Sequence, residues 1–200
     1  MSEILDSLFG SKIKTRLLRF FLLNHEGEYS LNEISKKNII PVVKMRKEIN
    51  ELKRIKFIQE KSKKAGKTYA LNEKFCFLEE LRNLLAKSNS HAQLKNLEKL
   101  RQIGDVRLAM VSGTFLNYPK SKVDLILVAN NVSRNKLKQA MVGLEAEVGK
   151  EISFVLMNSE EFKYRLDMLD RFILEFLEAP HEELINKIPG LKRIKQNLRK

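Results

Sequence analysis

The sequence predicts an α/β protein, α+β overall, made of two small domains joined by a helical linker. Three observations support this prediction. Three helical patterns precede a basic hairpin. Helical patterns from about Glu73 to Ala86 and from about His91 to Ile103 follow, with Ser88-Asn89-Ser90 between them as the expected hinge, and strand and helix patterns then alternate. The predicted boundaries are 1–72 for the first domain, 73–104 for the linker, 105–190 for a small mixed-sheet domain and 191–200 for a basic tail.

The first two helices are predicted from the signals that begin helices. Gly10-Ser11 gives a turn and an N-cap, so a helix should run from about Lys12 to Leu23. Ser30 precedes Glu33 by three residues, which is the spacing of a capping box, and a second helix should therefore begin at Leu31.

The third helix, predicted from Pro41 to Ile55, has one mainly apolar face and one cationic face. Pro41 suits its first turn, because the missing N–H costs nothing there. The inward stripe at helical spacing consists of Val42, Met45, Ile49, Leu52 and Lys56. The opposite face carries Val43, Lys44, Arg46, Lys47, Asn50 and Arg54. Such a helix packs on one side and offers the other to a partner.

A basic hairpin follows this helix. Phe57-Ile58 and the segment from Thr68 to Leu71 are predicted strands, with a turn rich in lysine between them. Lys63, Lys64 and Lys67 in this turn are spaced to reach phosphates beside a groove.

The net charge of +13 is concentrated in the first domain and in the tail. Residues 1–72 contain 16 Lys and Arg against 8 Asp and Glu, and the last ten residues contain 5 basic and no acidic residues. Concentrated positive charge releases counterions from a polyanion and gives affinity that does not depend on sequence. The charge therefore favours nucleic acid as a partner.

The order of elements and the placement of charge from Leu8 to Lys64 resemble the winged-helix transcription regulators of prokaryotes. The resemblance implies that the third helix is the recognition helix of a helix-turn-helix and that the protein binds paired half-sites of double-stranded DNA as a homodimer. The residues predicted to contact DNA are Val43, Lys44, Arg46, Lys47, Asn50, Arg54, Lys63, Lys64 and Lys67.

Two features bear on this interpretation in opposite directions. Asn50 lies among basic residues, and Asn and Arg side chains can hydrogen-bond the edges of adenine and guanine in the major groove. Glu48 and Glu51 count against DNA, because a carboxylate near a phosphate is repelled. An ordinary solvated helix face is the alternative interpretation of the charges. A dimer surface could be the seam of Leu94, Leu97 and Leu100, although packing within the same chain is the simpler expectation.

Strand and helix patterns alternate in the second domain. The predicted strands and helices are Val106 to Val111, Val123 to Val128, a helix from Ser133 to Val148, Ile152 to Met157, and a helix that opens at Ser159 and continues or kinks through Phe176. The segments Val111-Ser112-Gly113-Thr114 and Ser121 to Ile126 resemble the minimal nucleotidyltransferases of the polymerase-beta-like superfamily. In that family a Gly-Ser turn and aspartates on neighbouring strands organise two divalent metals for nucleotidyl transfer.

The departures from that family predict a domain without catalysis, metal or cofactor. Lys122 stands where the family has its first aspartate, which leaves Asp124, and the turn is reversed as Ser112-Gly113. The third carboxylate would fall near Ser153, where Glu151 is the nearest acid. An ammonium group repels the cations that carboxylates would hold. The domain would then serve dimerisation, ligand sensing by an unidentified small-molecule effector, or binding of a partner protein.

Cellular context follows from what the sequence lacks. No apolar run approaches the roughly 20 residues that span a bilayer, and the N-terminus lacks signal-peptide features, so a cytoplasmic protein without a membrane partner is expected. The single cysteine, Cys76, lies between Phe75 and Phe77 and is predicted to be a core thiol.

Two other functions remain open. One is a divergent nucleotidyltransferase using Asp124 and Glu151, which magnesium-dependent labelling with a radioactive nucleotide would detect. The other is an RNA-binding or toxin–antitoxin-type interaction protein, which would prefer structured RNA to duplex DNA at equal salt.

Overall fold

The computed structural model describes residues 2–63, 66–85 and 97–191, and it confirms the α+β class. The chain divides into two compact units. The first contains Met1–Gln93 together with Val142–Glu151, and the second contains Leu94–Met141 together with Ile152–Lys200. Within the described ranges, no helix combines the length and the apolar character needed to cross a membrane.

Helices and a small antiparallel sheet form the first unit. In chain order its elements are α1 (Ser2–Leu8), α2 (Lys12–Leu23), β1 (Tyr29–Ser30), α3 (Leu31–Asn38), α4 (Val42–Arg54), β2 (Ile58–Lys63), β3 (Gly66–Leu71) and α5 (residues 78–85). The sheet order is β1-β3-β2, and Lys63 pairs with Gly66 at the end of the hairpin.

The predicted caps determine where α2 and α3 begin. Ser11 Oγ accepts a hydrogen bond from the Lys14 amide at 3.2 Å. Ser30 Oγ accepts from the Glu33 amide at 3.3 Å, and Glu33 Oε2 accepts from the Ser30 amide at 2.7 Å. These bonds satisfy amides that would otherwise lack a partner in the first turn. The hydrogen bond from the Ser30 amide also holds the pKa of Glu33 below its usual value.

The core of the first unit lies between the helices and the sheet. Its largest fully buried side chains are Leu17, Phe20, Phe21, Ile34, Met45, Ile49, Leu52 and Phe57. Phe20 packs edge-on against Phe21 and Tyr29, with ring centroids 5.3 and 4.9 Å apart. Tyr29 is held there because β1 pairs with β3, which the sequence did not predict.

Three predictions for the segment that follows α4 are wrong. Lys56 does not extend the inward stripe of α4, because the helix ends at Arg54 and Lys56 has a positive φ of 61° and is exposed. The helix predicted from Glu73 begins instead at residue 78, since the Asn72 carboxamide accepts a hydrogen bond from the Lys74 amide and forms a turn. Cys76 lies in the turns that follow and is exposed rather than in the core.

A mixed sheet with helices forms the second unit. Its elements are a 3₁₀ turn (Glu98–Gln102), β4 (Asp105–Val111), a second 3₁₀ turn (Gly113–Phe115), β5 (Leu125–Asn130), α6 (Arg134–Val148), β6 (Phe154–Met157), α7 (Ser159–Asp167), α8 (Arg171–Glu178) and β7 (Glu182–Asn186). Of helix α6, the residues up to Met141 belong to this unit and those from Val142 belong to the first unit. The sheet order is β6-β5-β4-β7, with β5 and β6 parallel and the other pairs antiparallel.

One face of this sheet packs against α7 and α8. The shared core includes Leu108, Met110, Ile126, Val128, Met157, Phe162, Leu166, Ile173, Phe176 and Leu177. The helix predicted from Ser159 through Phe176 is broken into α7 and α8 at Leu169, which has a φ of 54°. Strand β7, at one edge of the sheet, was not predicted from the sequence.

Several predictions fall outside the described residues. They are the hinge at Ser88-Asn89-Ser90, residues 91–96 of the predicted helix from His91 to Ile103, and residues 192–200 of the basic tail. Leu94 is also outside them, whereas Leu97 and Leu100 are buried in the second unit. Those two leucines are therefore core residues, as the simpler expectation had them.

Candidate nucleic-acid interface

A three-residue turn connects α3 to α4. The Ile39 amide donates to the Lys36 carbonyl at 3.3 Å, and the Ile40 amide donates to the Ser35 carbonyl at 3.1 Å. The hydroxyl of Ser35 donates to the Ile40 carbonyl at 2.6 Å, which fixes the turn from the other side. Pro41 is the N-cap residue of α4. It does not lie in the first turn as predicted, because its ψ of 136° gives it an extended backbone.

Helix α4 divides sharply into a buried and an exposed face. Met45, Ile49 and Leu52 are fully buried in the core of the first unit. The six residues predicted for the outer face are all exposed, and they are Val43, Lys44, Arg46, Lys47, Asn50 and Arg54. Val43 is 83% exposed although it is apolar. The outer face is therefore cationic and has one apolar residue near its N-terminal end.

The two carboxylates on α4 are paired with a lysine of α2. Lys14 Nζ lies 2.6 Å from Glu51 Oε2 and 3.5 Å from Glu48 Oε2. The hydrogen bond between Lys14 and Glu51 raises the pKa of the lysine and lowers the pKa of the carboxyl group. This pairing directs negative charge toward α2 and weakens the objection that these glutamates raise against an anionic partner.

The lysines of the hairpin are more constrained than the sequence predicts. Lys67 Nζ lies 2.6 Å from Glu60 Oε1, and Lys53 binds the other oxygen of the same carboxylate. Hydrogen bonds from Lys53 and Lys67 lower the pKa of Glu60. Lys67 is thus exposed but ion-paired. Lys64 and the side chain of Lys63 lie outside the described part of the chain.

Ile39 is a candidate residue that the sequence analysis missed. It is 55% exposed and has a φ of 53°, a conformation that a β-branched residue rarely adopts. It occupies the position after a helix where glycine is most common. No glycine lies between α3 and Pro41, so a residue with a side chain has to adopt the left-handed conformation that ends the helix. This is the sequence signal that could have identified Ile39. Ile39 and Val43 thus lie exposed at the turn and at the start of the outer face.

The segment Val142–Glu151 completes the first unit. Asn24 Nδ2 donates to the Gly149 carbonyl at 2.6 Å, and Lys37 Nζ donates to Glu151 Oε1 at 2.6 Å. The hydrogen bond raises the pKa of Lys37 and lowers the pKa of Glu151. Glu151, considered above as a catalytic acid, is therefore an ion-pair partner of α3.

In the second unit, both oxygens of the Asp124 carboxylate accept hydrogen bonds from the protein. Oδ1 accepts from the Thr114 amide at 2.6 Å, and Oδ2 accepts from the amide and the hydroxyl of Ser153 at 2.9 and 2.8 Å. Gly113 has a φ of 52°, and a Cβ there would clash with Asp124 Oδ1. Asp124 thus joins the loop after β4 to the start of β6.

Lys122 is ion-paired with an acid of α8. Its Nζ lies 2.5 Å from Glu175 Oε2 on α8, and Arg171 binds the other oxygen of that carboxylate at 2.7 Å. Among the described residues, no three His, Cys, Asp or Glu side chains are grouped so that they could hold a metal ion.

Comparisons of the chain with models of protein families, with curated proteins and with solved structures found no match. The functional interpretation of this protein therefore depends on its own residues and their geometry.

Proposed function

We propose that the first unit is a winged-helix domain that binds double-stranded DNA, and that the protein is a homodimeric transcriptional regulator in a prokaryotic cytoplasm. The outer face of α4 carries this proposal, because it is wholly exposed and cationic while the opposite face is buried. The order α2, β1, α3, α4, β2, β3 places a hairpin directly after the helix, which is the arrangement a winged helix requires.

The side chains of α4 divide into two roles in this proposal. Arg46 and Asn50 are one turn apart on the exposed face and would hydrogen-bond guanine and adenine edges in the major groove. Val43 would contact a thymine methyl group, and this contact would explain why an apolar side chain is exposed on this face. Lys44, Lys47 and Arg54 would bind phosphates and set the position of the helix on the duplex.

The second unit, in the same proposal, is not catalytic and serves dimerisation, effector sensing or partner binding. A carboxylate must direct lone pairs at a metal ion in order to bind it. Both oxygens of Asp124 already accept protein hydrogen bonds. The resemblance to the nucleotidyltransferases places Lys122 where that family has its other aspartate on this strand. These contacts support a structural role for Asp124.

Fluorescence anisotropy tests the proposed function directly. The full chain is titrated into a duplex from upstream of its own gene and into a scrambled duplex, from about 50 to about 300 mM salt. Tighter binding to the native duplex that persists at the higher salt is expected. Equal, steeply salt-dependent binding to both duplexes would contradict sequence reading, and preference for structured RNA would favour the RNA-binding alternative.

Removing the charge of Glu60 is expected to strengthen DNA binding. Glu60→Gln frees Lys53 and Lys67 from one shared carboxylate. Affinity should rise for every sequence, and the slope of log K against log salt should steepen by about 0.9 for each additional phosphate that a freed lysine neutralises. Glu79→Gln is the matched control, because it removes a surface carboxylate paired with Arg82 in the same unit. Equal slopes of log K against log salt in the two variants would show that the lysines freed from Glu60 do not contact DNA.

Replacing Ile39 with glycine is expected to stabilise the fold and weaken DNA discrimination. Relief of the left-handed strain should exceed the entropy cost of glycine and raise the free energy of unfolding by about 0.5–1 kcal/mol. In the proposed complex the exposed Ile39 side chain would make an apolar contact with DNA, and its loss should lower the ratio of affinities for native and scrambled duplexes. Thermal unfolding and anisotropy measure the two effects.

Lys56→Gly is the control for Ile39→Gly. Lys56 also has a positive φ, of 61°, so its replacement relieves similar strain. It removes an exposed cationic side chain that lies outside α4, and the ratio of affinities should stay constant. An unchanged ratio in Ile39→Gly would show that Ile39 does not contact DNA.

A further inference from the structure

An exposed apolar patch lies where α7 meets α8. Tyr164, Met168 and Leu169 are 66%, 65% and 65% exposed. Tyr164 and Met168 are four residues apart and lie on one side of α7 and its C-cap, with Leu169 next to them. Tyrosine and methionine are enriched in protein–protein interfaces. We call Tyr164, Met168 and Leu169 the corner patch.

The backbone at Leu169 gives a second reason to consider this surface. The Leu169 amide donates to the Leu166 carbonyl at 3.1 Å, and the Asp170 amide donates to the Arg165 carbonyl at 2.8 Å. This is the helix ending in which glycine is usual, and Leu169 adopts it with a φ of 54°. Most of its side chain remains exposed, so burial within its own unit does not compensate for the strain. Strain of this kind collects at functional surfaces.

Two opposite charges flank the corner patch. Lys163 and Asp167 are one turn apart on α7, next to Tyr164 and Met168, and both are exposed. Neither forms an ion pair with any residue in the described part of the chain. The patch therefore offers one cation and one anion in addition to its apolar centre.

This charge pattern is complementary to itself. In an antiparallel pair of α7 helices related by a two-fold axis, Lys163 faces the partner's Asp167, and Tyr164 faces the partner's Met168. The two pairs place the two-fold axis at positions that differ by one residue, which is about 1.5 Å along the helix. A two-fold interface requires such self-complementarity.

We propose that the corner patch is the surface through which two copies of this chain associate. The homodimer is part of the proposed function, so the assignment of this surface rests on that proposal. The contacts described above involve no DNA. Leu97 and Leu100 of the alternative leucine seam are buried in their own unit, so these two residues are not available as a dimer surface. The patch is much smaller than the roughly 20–30 residues a side of a standard interface, and the dimer is therefore weak until two half-sites hold the copies together.

Sedimentation equilibrium of the full chain without DNA tests the surface, from about 1 µM to about 1 mM protein. The native chain should associate weakly. Lys163→Glu places a carboxylate opposite the partner's Asp167, and Asp167→Lys places an ammonium group opposite the partner's Lys163. Each single change should weaken the dimer about tenfold, because like charges then face each other. The double variant Lys163→Glu/Asp167→Lys should restore association.

Lys138→Glu, an exposed charge reversal on α6, is the matched control and should leave the dimer unchanged. Binding of each variant to a duplex with a single half-site separates this proposal from the DNA-binding proposal, since that affinity should not change. A chain that stays monomeric throughout, or a double variant that is not restored, would overturn the corner patch as the dimer surface while half-site binding stands.

Discussion

Replacing Gly113 with alanine is expected to lower the free energy of unfolding of the second unit by about 3 kcal/mol. The new Cβ would clash with Asp124 Oδ1, and the φ of 52° is unfavourable for alanine. The carboxylate cannot move freely, because it accepts hydrogen bonds from Thr114 and Ser153. Relief of the clash therefore breaks the connection between the loop after β4 and the start of β6.

Calorimetry of the full chain measures this effect, with Gly143→Ala as the control. Gly143 lies inside α6, and nothing is within 4 Å of the position its Cβ would take. Alanine there should stabilise the helix by up to about 1 kcal/mol. A Gly113→Ala variant as stable as the native chain would show that Asp124 does not hold this loop.

Arg46→Ala and Asn50→Ala are each expected to cost about 1–3 kcal/mol of binding to the native upstream duplex. Each side chain would lose its hydrogen bonds to a base edge, whereas the scrambled duplex offers no such bonds to lose. Among the described residues, neither side chain has a hydrogen bond or ion pair. The loss should therefore appear in DNA affinity and not in the stability of the fold.

Anisotropy with both duplexes and thermal unfolding test this pair of variants. Lys74→Ala removes an exposed cation of the same unit outside α4 and should leave the preference for the native duplex intact. Equal losses on the native and scrambled duplexes would reduce Arg46 and Asn50 to phosphate contacts. A loss of stability instead would mean that these side chains support the fold.

Elements with local signals agree closely with their predictions. Helix α2 runs from Lys12 to Leu23 and α3 begins at Leu31, because each start depends on a side chain within three residues. The buried stripe of α4 is correct for Met45, Ile49 and Leu52, since helical periodicity determines which residues share a face. All six α4 residues predicted for DNA contact are exposed for the same reason.

Two strands that depend on distant partners, β1 and β7, were not predicted. Strand β1 has two residues and exists because Tyr29 and Ser30 pair with Tyr69 and Thr68 of β3. Strand β7 likewise depends on β4, from which it is separated by most of the second unit. Cys76 was expected in the core because of its aromatic neighbours, but the turn formed at Asn72 shifts the start of α5 and leaves the thiol exposed.

Short-range chemistry therefore determined the helix starts, the apolar face of α4 and the concentration of positive charge in the first unit. Tertiary structure decided which of these charges are paired within the protein and which are available to a partner. It pairs Glu51 with Lys14 of α2, places Lys67 against Glu60, and directs both oxygens of Asp124 at Thr114 and Ser153. The physical reason is that an ion pair or a hydrogen bond depends on distance in space. Residues far apart in the chain approach one another only when the helices and sheets have packed.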